Sequence, residues 1–180
     1  MATWVALLGS VNVGGNNKLT MKDLRGILSD VGYDNVRTYI QSGNCVFETG
    51  ETDAGKIGRT IASVVYESAG FEPVTYIFRD TEIMDVLREN PFPDSDPKKV
   101  QIFFLAEPAP NADLDALEEL ATGTERFHLT DSIFWLDAPD GIGRSKLVTR
   151  LGKHLGVAMT ARNANSVAEV ARLCEERLPE

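Results

Sequence analysis

The chain has 180 residues, 43% of them hydrophobic, enough to bury a core in one domain or in two small packed ones and too much for a disordered tail. Its 18 Lys and Arg face 27 Asp and Glu, a formal net charge of −9, which disfavours generic nucleic-acid binding unless the basic residues gather on one face. The two cysteines, Cys45 and Cys174, stand in no C-x-x-C or Cys/His ligand spacing, so neither a disulfide framework nor a zinc finger is expected.

The opening MATWVALLGSVNVGG has an apolar run with no preceding Lys or Arg, too short to span a bilayer. It reads as the first core strand of a soluble, cytoplasmic protein with no membrane partner. LTMKDLRGILSDVG follows with helical spacing at Met21, Leu24, Ile27, Leu28 and Val31, Thr20 as N-cap, Asp23 at the capping-box position and Gly32 as a stop. VRTYI and CVFET flank QSGN as a hairpin. DAGKIGRTIASVVYESAG puts Ile57, Ile61, Val64 and Val65 on one helical face, and PVTYIFR is a strand, which completes βαββαβ.

A connecting helix, DTEIMDVLREN, and a breaker, PFPDSDP, precede a second pass through the same order. VQIFFLA is a strand, LDALEELA a helix, ERFHLT and SIFWLDA a hairpin about Asp131, SKLVTRLGKHLG a helix, and VAMT a short extended piece. The last helix carries Val167, Val170, Ala171, Cys174 and Leu178 on one face. The expected fold is α+β, two tandem ferredoxin-like subdomains with a C-terminal helix. Their expected spans are 1–80 and 99–160, joined by a helix and loop at 81–98 and followed by the C-terminal helix at 161–180, the whole forming one unit. A groove between the subdomains is the natural ligand site.

Polar, non-acidic residues concentrate at four junctions. In NVGGNNKLT, Asn12, Gly14, Gly15, Asn16, Asn17 and Lys18 precede a helix start whose free amides suit an anion, although the loop also reads as ordinary turn and cap. In YIQSGN, Gln41, Ser42 and Asn44 can read a polar ligand or simply make the hairpin turn. In DGIGRSK, Gly141 and Gly143 allow amides to converge, Arg144 can fork onto two oxygens, Ser145 can donate and Lys146 adds a point charge. Cations at a helix start oppose the macrodipole, which favours an anion between them. In TARNANS, Arg162, Asn163 and Asn165 gather before the last helix, with Asn165 or Ser166 as the expected N-cap.

No nucleophilic constellation stands out, and His128 and His154 read as structural or surface residues. DSD at Asp94–Asp96 reads as a solvated loop rather than a divalent-cation contact, no metal site is expected, and Asp137 and Asp140, which could hold Mg²⁺ with a phosphate, are expected instead to pair with Arg144. Phe103, Phe104, Phe134 and Trp135 read as core rather than as a base-stacking platform.

The segments VALL, VNVGGNNKLTMKDLR, VRTYIQSGNCVF, NPFP, DGIGRSKL and TARNANSV, taken in order, resemble the signature of the family known as domain of unknown function 1697, from Trp4 to about Leu173. The resemblance implies a pair of ferredoxin-like α/β subdomains and no assigned activity. This chain departs from the family pattern twice: Gly9-Ser10 stands where Arg-Gly is usual, and Arg162-Asn163-Ala164-Asn165-Ser166 where Arg-Asn-Trp-Asn-Thr is usual. The functional expectation is a protein that binds a small anionic molecule, phosphate-bearing or nucleotide-like, and that could act as a phosphoryl-transfer or other small-molecule-modifying enzyme. A nucleotide would bring Mg²⁺ with it; no other cofactor, no substrate and no oligomeric state is legible. The alternative is a non-enzymatic RNA- or protein-interaction module, although the aromatic RNA-binding signature is missing.

Overall fold

A computed structural model describes residues 1–176. The described residues form two four-stranded antiparallel sheets and six helices, divided between two units. Unit 1 comprises Met1–Arg88 together with the chain from Val167, and unit 2 comprises Glu89–Ser166.

In unit 1 the strands are β1 (Ala2–Leu8), β2 (Asp34–Tyr39), β3 (Asn44–Thr49) and β4 (Thr75–Arg79), in the order β2-β3-β1-β4. Register is set at the centre by Val5, which lies opposite Val46 on one side and Phe78 on the other. Two helices, α1 (Met21–Asp30) and α2 (Ala54–Ala69), bury Leu24, Leu28, Ile57, Ile61 and Val65 against Trp4, Ala6, Leu8, Cys45 and Phe47 of the sheet. Tyr33 stacks on Phe47 with ring centroids 4.7 Å apart. The alternate residues Val5, Leu7 and Val46 are buried as well. Their face carries α3 (Asp80–Arg88), which packs on β1, and α6 (Ala164–Glu175), whose Leu173 carbonyl accepts a bond from the buried Arg37 of β2. Cover on both faces is why β1 is continuously apolar instead of alternating.

Local signals explain the helix ends. Thr20 Oγ1 accepts from Asp23 N, Asp53 accepts from Lys56 N, and Gly70 closes α2 in the left-handed region. Of the apolar stripe read on α6, Val167, Val170 and Ala171 are buried and Cys174 half-buried; Leu178 lies outside the described residues.

Unit 2 repeats the order: β5 (Val100–Leu105), α4 (Leu114–Leu120), β6 (Arg126–Leu129), β7 (Ile133–Asp137), α5 (Lys146–Leu155) and β8 (Met159–Asn163) build the sheet β6-β7-β5-β8. Ile102 holds the central register, opposite Trp135 and Arg162. Leu117 of α4 and Leu147, Leu151 and Leu155 of α5 pack on Phe103, Phe134 and Leu136. Phe104 and Trp135, on the opposite sheet face, are equally buried, so all four aromatic residues read as core are core. Strand β8 runs further than the extended piece expected at VAMT, because Asn163 still pairs with Gln101 of β5.

Candidate functional site

The β1–α1 loop of unit 1 is held by its own asparagines. Asn12 N donates to Asn17 O (3.1 Å) and Asn16 N to Val13 O (3.0 Å), so Gly14 and Gly15 form a two-residue reversal in which both φ are positive, 59° and 80°. That is the mirror-image turn for which glycine pairs are suited. The Asn12 side chain then ties the loop ends together: Nδ2 donates to Leu19 O (2.7 Å), and Oδ1 accepts from Leu19 N (2.9 Å). The same Nδ2 donates to Gln41 O at 2.9 Å, and the first two junctions are thereby brought together. Asn17 Nδ2 donates to Ser10 O (3.0 Å).

The β2–β3 connection occupies 40–43 and is wedged under the end of β1. Gly43 has φ +74°, its carbonyl accepts from Leu8 N (2.9 Å), and a Cβ there would sit 2.8 Å from Leu8 Cβ. Asn44 is the first residue of β3, buried, with Nδ2 on Tyr39 O (3.2 Å). Exposed donors in this part of unit 1 include the loop tip, Gly14 to Asn17, with Lys18 after it, and Gln41. Lys18 lines a separate hollow along α1 with Lys22, Asp23, Asp30 and Ser68.

In unit 2, DGIGRSK makes the turn from β7 into α5. Gly141 N donates to Ala138 O (2.8 Å) and Ser145 N to Ile142 O (3.1 Å), and the buried Ser145 hydroxyl caps the helix by accepting from Val148 N (3.1 Å). Among the described residues this leaves the amides of Lys146 and Leu147 unbonded and gives Arg144 and Lys146, both exposed, no ion-pair partner. Thr122, Glu125, Asp140, Gly141, Gly143, Arg144 and Ser145 line a pocket of about 430 Å³. The two carboxylates in it are engaged locally: Asp140 Oδ2 accepts from Thr124 Oγ1 (2.7 Å) and Glu125 Oε2 from Thr122 N (2.9 Å). Lys99 Nζ comes within 3.8 Å of where a Gly141 Cβ would stand. Sequence alone did not single out Lys99, Thr122 or Glu125; Lys99 is brought there because Val100 pairs with Asp137 at the exit of β7.

The expected pairing of Asp137 and Asp140 with Arg144 is replaced by another. Asp137 is buried and its Oδ2 binds Arg126 Nη2 (2.5 Å) and Ser95 Oγ (2.8 Å), which pins the PFPDSDP segment to the sheet. Arg126 lies directly opposite Asp137 in the β6–β7 register, and its guanidinium also stands over the Phe92 ring.

The helix expected from residue 161 starts three residues later, because β8 runs to Asn163 and passes straight into α6 at Ala164. The cap is Asn163, whose Oδ1 accepts from Ser166 N (2.8 Å), rather than Asn165 or Ser166; Asn165 N donates to Pro97 O (3.1 Å). Arg162 Nη1 turns back to Thr160 Oγ1 and Ala161 O, both at 2.8 Å. Since Asn163 and Asp137 flank the first residues of β5, the third and fourth junctions share one end of this sheet, about 10 Å apart across two strand spacings.

Burial pushes the Cys45 thiol up to about 12 and the Cys174 thiol to about 11, so neither is a thiolate nucleophile near neutrality. Among the described residues no group of three His, Cys, Asp or Glu could hold a metal ion, and no helix is long and apolar enough to cross a membrane.

The family model described as "Protein of unknown function (DUF1697)" matches residues 1–135. No curated protein matches the chain. A solved structure of a conserved bacterial protein from Streptococcus pneumoniae is similar in fold, with a TM-score of 0.70 at 22% identity over 97% of this chain and 99% of that one.

Proposed function

Starting from a chain that belongs to the DUF1697 family of proteins of unknown function, we propose that unit 2 binds a small anion, phosphate-bearing or nucleotide-like, at the entry to α5. We also read both units as ferredoxin-like, since in each the two middle strands of the sheet are the first and third of the unit, as a split βαβ pair requires.

The observation that carries the reading is the state of DGIGRSK: two exposed cations that find no ion-pair partner among the described residues, beside two amides unbonded within them, at the positive end of a ten-residue helix. Arg144 and Lys146 destabilise an empty helix start, and an anion between them reverses the sign of that interaction. Asp140 and Glu125, each held by a threonine contact, line the same pocket, so Arg144 and Lys146 must outweigh their charge for an anion to bind. Were the bound molecule to undergo phosphoryl transfer, these groups would act by orienting it and neutralising charge, which needs no covalent nucleophile.

A thermal-shift screen with nucleotides, sugar phosphates and inorganic phosphate, with and without Mg²⁺, tests the reading. A ligand at about 100 times its dissociation constant stabilises the fold by about 2.7 kcal/mol. The expected result is a shift that vanishes in Arg144→Ala/Lys146→Ala while the unliganded midpoint stays within about 2 °C of wild type, as exposed side chains away from the core allow. No shift across the panel, or a shift the double variant keeps, overturns it and moves weight to the interaction-module reading.

A further inference from the structure

Charge along unit 2 is segregated by helix. From Val100 to Glu125 there is no Lys or Arg, and α4 falls within that stretch with Asp115, Glu118 and Glu119 exposed. Between Asp140 and Glu169 there is no Asp or Glu, and α5 falls within that one with Lys146, Arg150 and Lys153 exposed. At 100° per residue these three cations lie within a stripe about 60° wide, on the side away from Leu147, Leu151 and Leu155.

The two helices lie side by side and antiparallel. Asp113 N donates to His154 O (2.9 Å), joining the start of α4 to the end of α5, while Thr122 and Glu125 line a pocket with Gly143 and Arg144 at the other end. Yet the only acid–base side-chain contact between them among the described residues is Asp113 Oδ2 with His154 Nδ1 at 3.7 Å. The exposed acids and bases thus point outward, as a surface with one acidic and one basic half.

We propose that this surface pairs with the same surface of a second copy of the chain. A two-fold axis parallel to the helices lays α4 of one protomer over α5 of its partner and the reverse, which makes an isologous contact. The rotation keeps heights along the helix axis, so Asp115 faces a partner Lys153 and Glu118 a partner Arg150. Both pairs are three residues apart, about 4.5 Å of rise, so one register satisfies them together. Leu114, 42% exposed beside Asp115, is enclosed by the contact. The occupant is a second copy rather than an acidic or a basic partner because either of those would meet like charge on one of the two helices.

Because the contact is made by charges in water, it is weak and screened by salt. The test is sedimentation of the full chain at about 50 mM and about 500 mM NaCl, where the Debye length falls from about 14 Å to about 4 Å. The expected result is a dimer at low salt whose dissociation constant rises at least about tenfold at high salt. Arg150→Glu/Lys153→Glu makes both helices acidic and Asp115→Lys/Glu118→Lys makes both basic; each variant alone is expected to be monomeric, and an equimolar mixture to form a heterodimer. The neutral pair Arg150→Gln/Lys153→Gln, which keeps the fold if the inversions do not, is expected to weaken the dimer without abolishing it. A monomeric wild type at low salt overturns the proposal, as does a dimer that survives both inversions. Salt-sensitive binding of single-stranded RNA that Arg150→Glu/Lys153→Glu abolishes in a monomeric chain assigns α5 to a different partner and also overturns it. All variants keep Arg144 and Lys146, so failure here is distinguishable from failure of anion binding at the entry to α5.

Discussion

Asn12 makes three side-chain hydrogen bonds at once, to both backbone groups of Leu19 and to Gln41 O, and sits at φ 55°. An amide can donate twice and accept, and asparagine tolerates the left-handed region better than other non-glycine residues. Its first role is therefore to hold two loops in register. Asn12→Ala is expected to cost about 2 kcal/mol, from net values of about 0.5–1.5 kcal/mol per hydrogen bond plus backbone strain, read as a lowered denaturation midpoint. Ser10 makes the complementary case. It holds φ 58°, at a position where the family resemblance implies glycine, a conformation that disfavours any Cβ-bearing residue by about 1–2 kcal/mol. Ser10→Gly is expected to raise stability by about 0.5 kcal/mol, the strain relief less the chain entropy glycine adds. For a chain of this size that is a melting temperature higher by about 1–2 °C. An unchanged or lower midpoint would show that serine makes compensating contacts.

At the level of elements, capping is legible in sequence, and a carboxylate beside the cap of α2 brings a pH dependence with it. Glu51 precedes the N-cap of α2; its Oε1 accepts from Thr52 N (2.8 Å) and Asp53 N (3.1 Å), and its Oε2 meets Lys56 Nζ at 2.6 Å. The bond from Lys56, followed by those two amides, lowers its carboxyl from 4.5 to about 2. A depressed carboxyl contributes stability that is complete above its unfolded value and lost as pH falls through the folded one. The stability gap between wild type and Glu51→Gln is therefore expected to be constant above about pH 5.5 and to close between about pH 4.5 and pH 2 in denaturant titrations at stepped pH. The order of strands and helices was readable because each element carries its own period and stop: Thr20, Asp53, Ser145 and Gly70 all act as their residue type suggests. What escaped reading was long-range pairing. Residues 161–163 read as the start of the last helix until Gln101, far away in the chain, takes Asn163 into a sheet. The Asp137 partner depended on the register of one hairpin: a turn centred on Asp131 would set Glu125 opposite it, whereas the turn is centred between Asp131 and Ser132 and brings Arg126 there instead, and proximity in sequence pointed to Arg144.

For the whole molecule, the sequence conveyed the repeated order of elements and the polar character of four junctions. The structure shows which of them share an end of a sheet: Asn12 with Gln41 in unit 1, DGIGRSK with Asn163 in unit 2. It also separates residues of one apparent class. Gly14, Gly15, Arg144 and Lys146 are exposed, whereas Asn44 and Ser145 are buried in local bonds. A sequence cannot make that division, because an asparagine that braces a turn and one that meets a ligand have the same composition and the same neighbours. The net charge of −9 likewise averages over α4 and α5, whose opposite signs are written in the sequence but come to lie on one surface only because the two helices are set side by side.

Unit 1 is discontinuous: its sheet is complete by Arg79, yet the Leu173 carbonyl that takes Arg37 belongs to a helix that starts with the last three residues of unit 2. A ribosome delivers residues in order at about 5–20 per second. Residues 38 to 173 therefore take about 7–27 s to synthesise, and until they emerge the Arg37 guanidinium has no helix carbonyl to meet. The nascent first sheet thus waits with one face unfinished, a period in which chaperone capture or mispairing has its opportunity.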